Sequence, residues 1–254
     1  MSSTKESQAI ENKEPAKFNY NSVDYLEPRF PRLVNKKGLN ILRAICSVLL
    51  FIIWILVFVW IHPIAQIVFM TMWGNSAALI TSILSLYISL KGTDNASSKI
   101  KKLNNLLLEY VFSMEMVITI VFWTVLYDWV IAIIKAEGNE RTIPLQIAIH
   151  SVPLFAVCCN VILSNVRFNP GNWKVTCVAS IIFMFANYGG KQLVGQPLYP
   201  FLPWDGSFRA YLNAVILVLV ATVLNYLCSK FIVNKLPLMS AKHAKESLLE
   251  SQLN

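Results

Sequence analysis

The sequence predicts an all-α, polytopic membrane protein with six transmembrane helices. Three observations carry this prediction: the composition, the lengths of the apolar runs, and the alternation of basic residues between them. Of 254 residues, 56% are hydrophobic and only 14% are charged, whereas a soluble domain carries roughly 25% charged residues. Mean hydropathy is +0.53. The formal charge of +8 raises the question of nucleic acid. The basic residues, however, lie beside the apolar runs, where lipid head groups and the insertion machinery read them. No nucleic-acid-reading motif accompanies them, so no nucleic-acid partner is expected.

Residues 1–38 are polar and mixed in charge, with Pro15, Pro28 and Pro31, and read as a loosely held, disordered cytosolic tail. The first residues are too polar for a cleavable signal peptide, so the first apolar run is expected to act as an uncleaved anchor. A six-helix membrane domain follows over residues 39–234. Its apolar runs are approximately Ile41–Ile61, Ile64–Leu90, Leu106–Ile134, Pro144–Leu163, Trp173–Gly190 and Phe208–Val233. Each is near or above the roughly 20 residues that a spanning helix needs. His62-Pro63 separates the first run from the second, because proline cannot continue the hydrogen-bond ladder. Pro144 opens the fourth, where its missing N–H costs nothing. Irregular backbone cannot face lipid, so runs of this length read as helices. Residues 235–254 form a short polar tail that reads as a brief amphipathic helix.

Basic residues set the orientation. Arg29, Arg32, Lys36, Lys37 and Arg43 precede or enter the first run. Lys91, Lys99, Lys101 and Lys102 fill the second loop, Arg167 and Lys174 the fourth, and Lys230, Lys235, Lys242 and Lys245 follow the sixth run. The intervening loops are poor in net positive charge. This alternation puts both termini in the cytosol, in an endomembrane expected to be the endoplasmic reticulum. The sequon Asn95-Ala96-Ser97 then lies on a cytosolic loop and stays unglycosylated. Trp60, Trp129 and Trp204 fall near the outer boundary, where amphipathic rings favour the head-group zone. All five cysteines lie in apolar runs without CxxC spacing, which indicates neither a disulfide framework nor a zinc site. No metal or organic cofactor is implied. No internal repeat suggests a transporter of two related halves.

His150 is the one histidine of three that sits well inside an apolar run, and an ionisable residue there is a functional candidate. Counted from the outer surface, His150 lies six residues into the fourth run and Thr71 seven into the second. Asp128 lies six before the outer end of the third. At 1.5 Å per residue all three sit about 10 Å below the same surface. Asn187 and Tyr188 of the fifth run lie near that end. A nucleophile needs a hydroxyl or thiol, a base, and often a group that orients the base. Thr71 supplies the hydroxyl, His150 the base, and Asp128 an orienting carboxylate or a structural hydrogen bond. The chemistry would be acyl transfer on a lipid. Each residue also has a plain structural reading: threonines in helices bond their own backbone, His150 can tie helices together, and Asp128 can be an interfacial cap. Ser151 is a weaker nucleophile because adjacent helix positions face different ways. Glu115 lies too far from His150 to join the site and is expected to contact Asn225 or Thr222. The oxyanion donor is open among Asn75, Asn187 and Trp73. The Pro197–Trp204 stretch either caps the site or anchors at the interface.

Four short pieces, in order, resemble the androgen-induced membrane protein family, which includes the androgen-dependent TFPI-regulating protein. They are Phe69-Met70-Thr71-Met72-Trp73, Val121-Phe122-Trp123-Thr124-Val125-Leu126-Tyr127-Asp128, His150-Ser151-Val152-Pro153-Leu154 and Pro197-Leu198-Tyr199-Pro200-Phe201-Leu202. The resemblance covers about residues 40–234 and suggests a distant fungal or protist member. It implies six helices and hydrolysis of fatty acid esters of hydroxy fatty acids, with Thr71 as the nucleophile and His150 as its histidine. Where animal members place a second histidine, this chain has Gln146 or Ile147. The expected function is therefore an intramembrane lipid-ester hydrolase with catalytic Thr71 and His150, with Asp128, Asn187 and Trp73 as possible supports. Membrane lipids and the lipid ester are the partners it implies. A non-enzymatic lipid-binding or scaffold protein, or less readily a transporter with His150 as proton relay, is the alternative.

Overall fold

The computed structural model describes residues 27–60, 64–92 and 95–236. The tail residues 1–26 and 237–254, and the His62-Pro63 break, lie outside these. The described chain is built from eight α-helices: α1 (Lys36–Trp60), α2 (Ala65–Val68), α3 (Met70–Lys91), α4 (Ser98–Val121), α5 (Tyr127–Ala136), α6 (Ile143–Leu163), α7 (Trp173–Val194) and α8 (Phe208–Leu227). Its only extended pairings are two isolated bridges, Pro28 with Ser164 and Tyr199 with Leu202. Five helical stretches are long and apolar enough to cross a membrane: Lys36–Trp60, Met70–Lys91, Ser98–Ala136, Glu140–Leu163 and Phe208–Lys235. The chain is thus an all-helical membrane protein in outline. The fifth predicted run forms α7, 22 residues long. It falls outside that group of five because Lys174, Asn187 and Lys191 dilute its apolar content. Ile52, Phe58, Phe185, Val215 and Leu219 are exposed on the outside of the bundle, as a lipid-facing surface requires.

Three helices differ from the runs read in the sequence. The second run does not continue as one helix. It breaks at Phe69, whose backbone is extended (φ −102°, ψ 130°), so α3 begins afresh at Met70. The third helix starts eight residues before its apolar run, at Ser98, because the Ser97 hydroxyl accepts from the Ile100 N–H and caps it. It then passes through a π-helical turn at Phe122–Leu126 before continuing as α5. The sixth likewise ends in a π-helical turn, Cys228–Ile232.

Helix α3 lies at the centre, packed on α1, α4 and α6, while α7 and α8 pair beside α4. Small residues permit the closest approaches. A Cβ at Gly74 would collide with Glu115 Oε1 and lie 2.8 Å from Ile118 Cδ1, so glycine lets α4 settle onto α3. Glu115 therefore meets α3 and hydrogen-bonds to neither of its expected partners, Asn225 and Thr222. The Asn225 amide instead donates to the Glu109 carbonyl (2.9 Å) and to Ser113 Oγ (3.2 Å).

One end of the bundle is bound by a dense polar network. The Glu109 carboxylate, buried on α4, accepts from Asn105 Nδ2 (2.6 Å), the Asn169 N–H (2.7 Å) and Asn172 Nδ2 (2.6 Å). This fixes the α6–α7 loop. Arg29, fully buried, donates to the carbonyls of Ser164 (3.0 Å) and Val166 (3.0 Å) at the end of α6, which satisfies acceptors that a helix terminus leaves open. Arg43 on α1 donates to Asn160 Oδ1 on α6 (2.8 Å). Arg167 caps the helical turn that follows α8 through the carbonyls of Val233 and Asn234. Residues 27–38 were expected in a loose tail. They are tied down here because Arg29 supplies hydrogen bonds that α6 cannot make for itself. Burial, with the Arg167 charge adding to it, lowers Arg29 to about 10, so it stays cationic at neutral pH and suits the negative end of the α6 dipole.

Candidate active site in the helix bundle

The opposite end holds mostly uncharged hydrogen-bonding groups, several helix irregularities, and the predicted pair. Thr71 is the second residue of α3, placed there by the break at Phe69. Its Oγ1 lies 3.1 Å from His150 Nε2 on α6. Both residues are buried, 6% and 7% exposed. The other ring nitrogen, Nδ1, is 2.7 Å from the Gln146 carbonyl oxygen on the preceding turn. A carbonyl only accepts, so in the neutral ring Nδ1 carries the proton and Nε2 presents its lone pair. The Thr71 hydroxyl then donates to Nε2. This is the arrangement that raises a hydroxyl's nucleophilicity.

The imidazole is held from two sides. Phe122, the first residue of the π-helical turn, stacks on it with ring centroids 3.7 Å apart and planes within 5°. Thr119 Oγ1 on α4 donates to the His150 backbone carbonyl (2.9 Å). Pro153 follows within α6. It has no N–H for the Ile149 carbonyl, so the helix is loosened beside the histidine. Two cavities open onto the pair. One of about 140 Å³ is lined by Ala65, Phe69, Thr71, Trp129, His150 and Tyr199, among others. A smaller one of about 40 Å³ adds Met70, Phe183, Phe201 and Leu202. Walls of this kind, apolar with a few convergent polar groups, are typical of small-molecule sites. An apolar recess of about 490 Å³ between α7 and α8 lies apart from the pair.

The supporting residues are arranged differently from the expectation. Asp128 is exposed on α5 and makes no bond to His150, whose Nδ1 is already engaged by Gln146. The π-helical turn between His150's stacking partner and Asp128 explains this: its extra residue rotates all that follows by about 100° relative to a continuous helix. Asn187 donates to the Val68 carbonyl (3.1 Å) and accepts from Trp204 Nε1 (2.8 Å). Trp73 donates from Nε1 to the Ile67 carbonyl (2.8 Å). Both therefore fasten α2, with its chain continuation, to the bundle and do not border the cavities. Asn75 is fully buried one turn beyond Thr71 but does not border them either. Ser151 faces away, accepting from Trp123 Nε1 (3.3 Å). Sequence reasoning did not single out Gln146, Phe122, Thr119 or Tyr199 for the site. Phe122 carried a signal in the second of the resembling pieces, and Tyr199 in the proline-flanked aromatic loop. That loop covers the site, since Leu198, Tyr199, Phe201 and Leu202 all line its cavities.

No protein-family model, curated protein or solved structure matches the chain. Among the described residues, no group of three or more His, Cys, Asp or Glu side chains comes together as a metal site would require.

Proposed function

We propose that the protein is an intramembrane hydrolase of lipid esters, with Thr71 as nucleophile and His150 as general base. The observation that carries this reading is the 3.1 Å contact of Thr71 Oγ1 with His150 Nε2, in a tautomer fixed by the Gln146 carbonyl and beside an apolar cavity. The ordered pieces similar to the androgen-induced family support it and suggest fatty acid esters of hydroxy fatty acids as substrates. Six spans, cytosolic termini and an endoplasmic reticulum location belong to the same proposal, resting on the charge alternation. In this topology the substrate enters sideways between helices from the lumenal leaflet.

The steps balance as follows. His150 Nε2 takes the hydroxyl proton as Thr71 Oγ1 bonds to the ester carbonyl carbon, whose π electrons move to oxygen. The tetrahedral adduct collapses, the C–O bond to the leaving alcohol breaks, and His150 returns the proton to that oxygen. Water then attacks the acyl-threonine with His150 again as base, releasing the acid and restoring Thr71. The reading is tested by assaying a panel of lipid esters, branched hydroxy-fatty-acid esters included, with purified wild type, Thr71→Ala and His150→Ala in nanodiscs. Cleavage by wild type alone is expected. Equal cleavage by all three, or none by wild type, leaves the pair as a helix-to-helix hydrogen bond in a lipid-binding or scaffold protein.

A further inference from the structure

An acyl transfer of this kind needs donors for the negative charge that develops on the carbonyl oxygen, and such donors are commonly worth 10²–10³ in rate (about that range). The three side chains expected to serve are unsuited: Asn187 and Trp73 are engaged elsewhere, and Asn75 does not border the cavities. Tyr199 has what they lack. It borders both cavities, alongside Thr71 and His150 in each. Its hydroxyl oxygen accepts from the Met70 N–H at 3.1 Å, which pins it beside the residue that precedes the nucleophile. That bond uses an oxygen lone pair and leaves the hydroxyl hydrogen to be donated. Phe69 at its edge (5.7 Å) and Phe201 stacked on it (5.4 Å) hold the ring.

The backbone adds a second donor. At the start of α3 the Met70 N–H goes to Tyr199 and the Met72 N–H to the Phe69 carbonyl (3.1 Å). Between them, the Thr71 N–H lies in the first turn, where no intrahelical acceptor exists. The positive end of the α3 dipole reinforces it.

Resting on the hydrolase reading above, we infer that Tyr199 is the oxyanion-stabilising catalytic residue, its hydroxyl donating together with the Thr71 N–H to the carbonyl oxygen of the tetrahedral adduct. No proton is transferred from it: the hydroxyl stays intact through both acylation and deacylation. Burial holds the phenol well above its usual range, opposed only in part by the Met70 N–H, so it keeps the hydrogen it must donate.

The test compares wild type, Tyr199→Phe and Thr71→Ala on the cleaved ester. Two inhibitors are added: a trifluoromethyl ketone that forms the tetrahedral adduct, and a non-hydrolysable ether that resembles only the substrate. For Tyr199→Phe, kcat is expected to fall about 100-fold with KM little changed. Inhibition by the ketone should weaken by a similar factor while the ether is unaffected. A role confined to holding α3 would weaken both inhibitors alike. Should the phenylalanine variant not fold, a fluorinated tyrosine at 199 preserves the hydroxyl and makes it more acidic. As a stronger donor at neutral pH it should tighten inhibition by the ketone while leaving the ether unaffected. Tyr199→Phe with near wild-type kcat while Thr71→Ala is inert overturns this inference alone, as does ketone inhibition that the fluorinated tyrosine leaves unmoved. An active Thr71→Ala overturns the hydrolase reading and this inference with it.

Discussion

The two ends of the bundle solve opposite problems. At the Glu109 end, charged and amide side chains make most of the contacts between elements: one carboxylate takes three donors, and one guanidinium closes the end of α6. At the Thr71 end the backbone is irregular. It holds the Phe69 break, the π-helical turn at Phe122, and Pro153 inside α6. Cavities fill the space that regular packing would have closed. The contrast teaches that the charged hydrogen-bonding side chains that join elements lie away from the chemistry. Polar groups out of water are costly unless hydrogen-bonded, so the dense network fixes the helix ends. The reactive pair is left with few competitors for its hydrogen bonds.

The sharpest way to break this contrast is at the reactive pair. Thr71→Ala or His150→Ala should lower ester hydrolysis by about 10³-fold or more, with thermal unfolding in detergent little changed. A loss of both together would make the pair structural. The reverse pattern is expected at the other end. Arg29→Met leaves buried carbonyls at the end of α6 without a donor, at a cost of about 3 kcal/mol. The unfolding temperature should fall while kcat at a permissive temperature holds. Intermediate in size is Gly74→Ala, whose methyl group meets Glu115 and Ile118. Overpacking of this kind costs about 1–3 kcal/mol, and Glu115→Ala in the same chain should recover part of it. Phe122→Leu, which removes the ring stacked on His150, is expected to reduce kcat about tenfold. Asp128→Asn should change neither activity nor stability measurably, because the side chain is exposed and makes no hydrogen bond to the His150 ring. A large loss there would restore the carboxylate to the site.

Parts of this were legible from residues alone. Long apolar runs and their charged borders revealed helices, because lipid forces backbone groups to pair within a segment. Equal depth in separate runs singled out Thr71, His150 and Asp128, and the fold brings only the first two together. What stayed hidden has a common cause: hydrophobic counting is blind to local backbone geometry. It could not register the extended Phe69, nor the extra residue of the π-helical turn that swings Asp128 away. The polar start of α4 was lost because charge hid it, although Ser97 is a legible cap. Arg29 read as topology charge because its partners are carbonyls, which no sequence displays. Gln146 acts through its backbone, so no side-chain pattern could have replaced Asp128 with it.

The most direct measurement is to treat the protein in intact membranes with a fluorophosphonate or similar acyl-mimetic probe and locate the adduct by peptide mass spectrometry. An adduct on Thr71 Oγ1, absent in His150→Ala although that variant is folded, is the result the account predicts. Labelling elsewhere, or labelling of Thr71 that persists without His150, would contradict it.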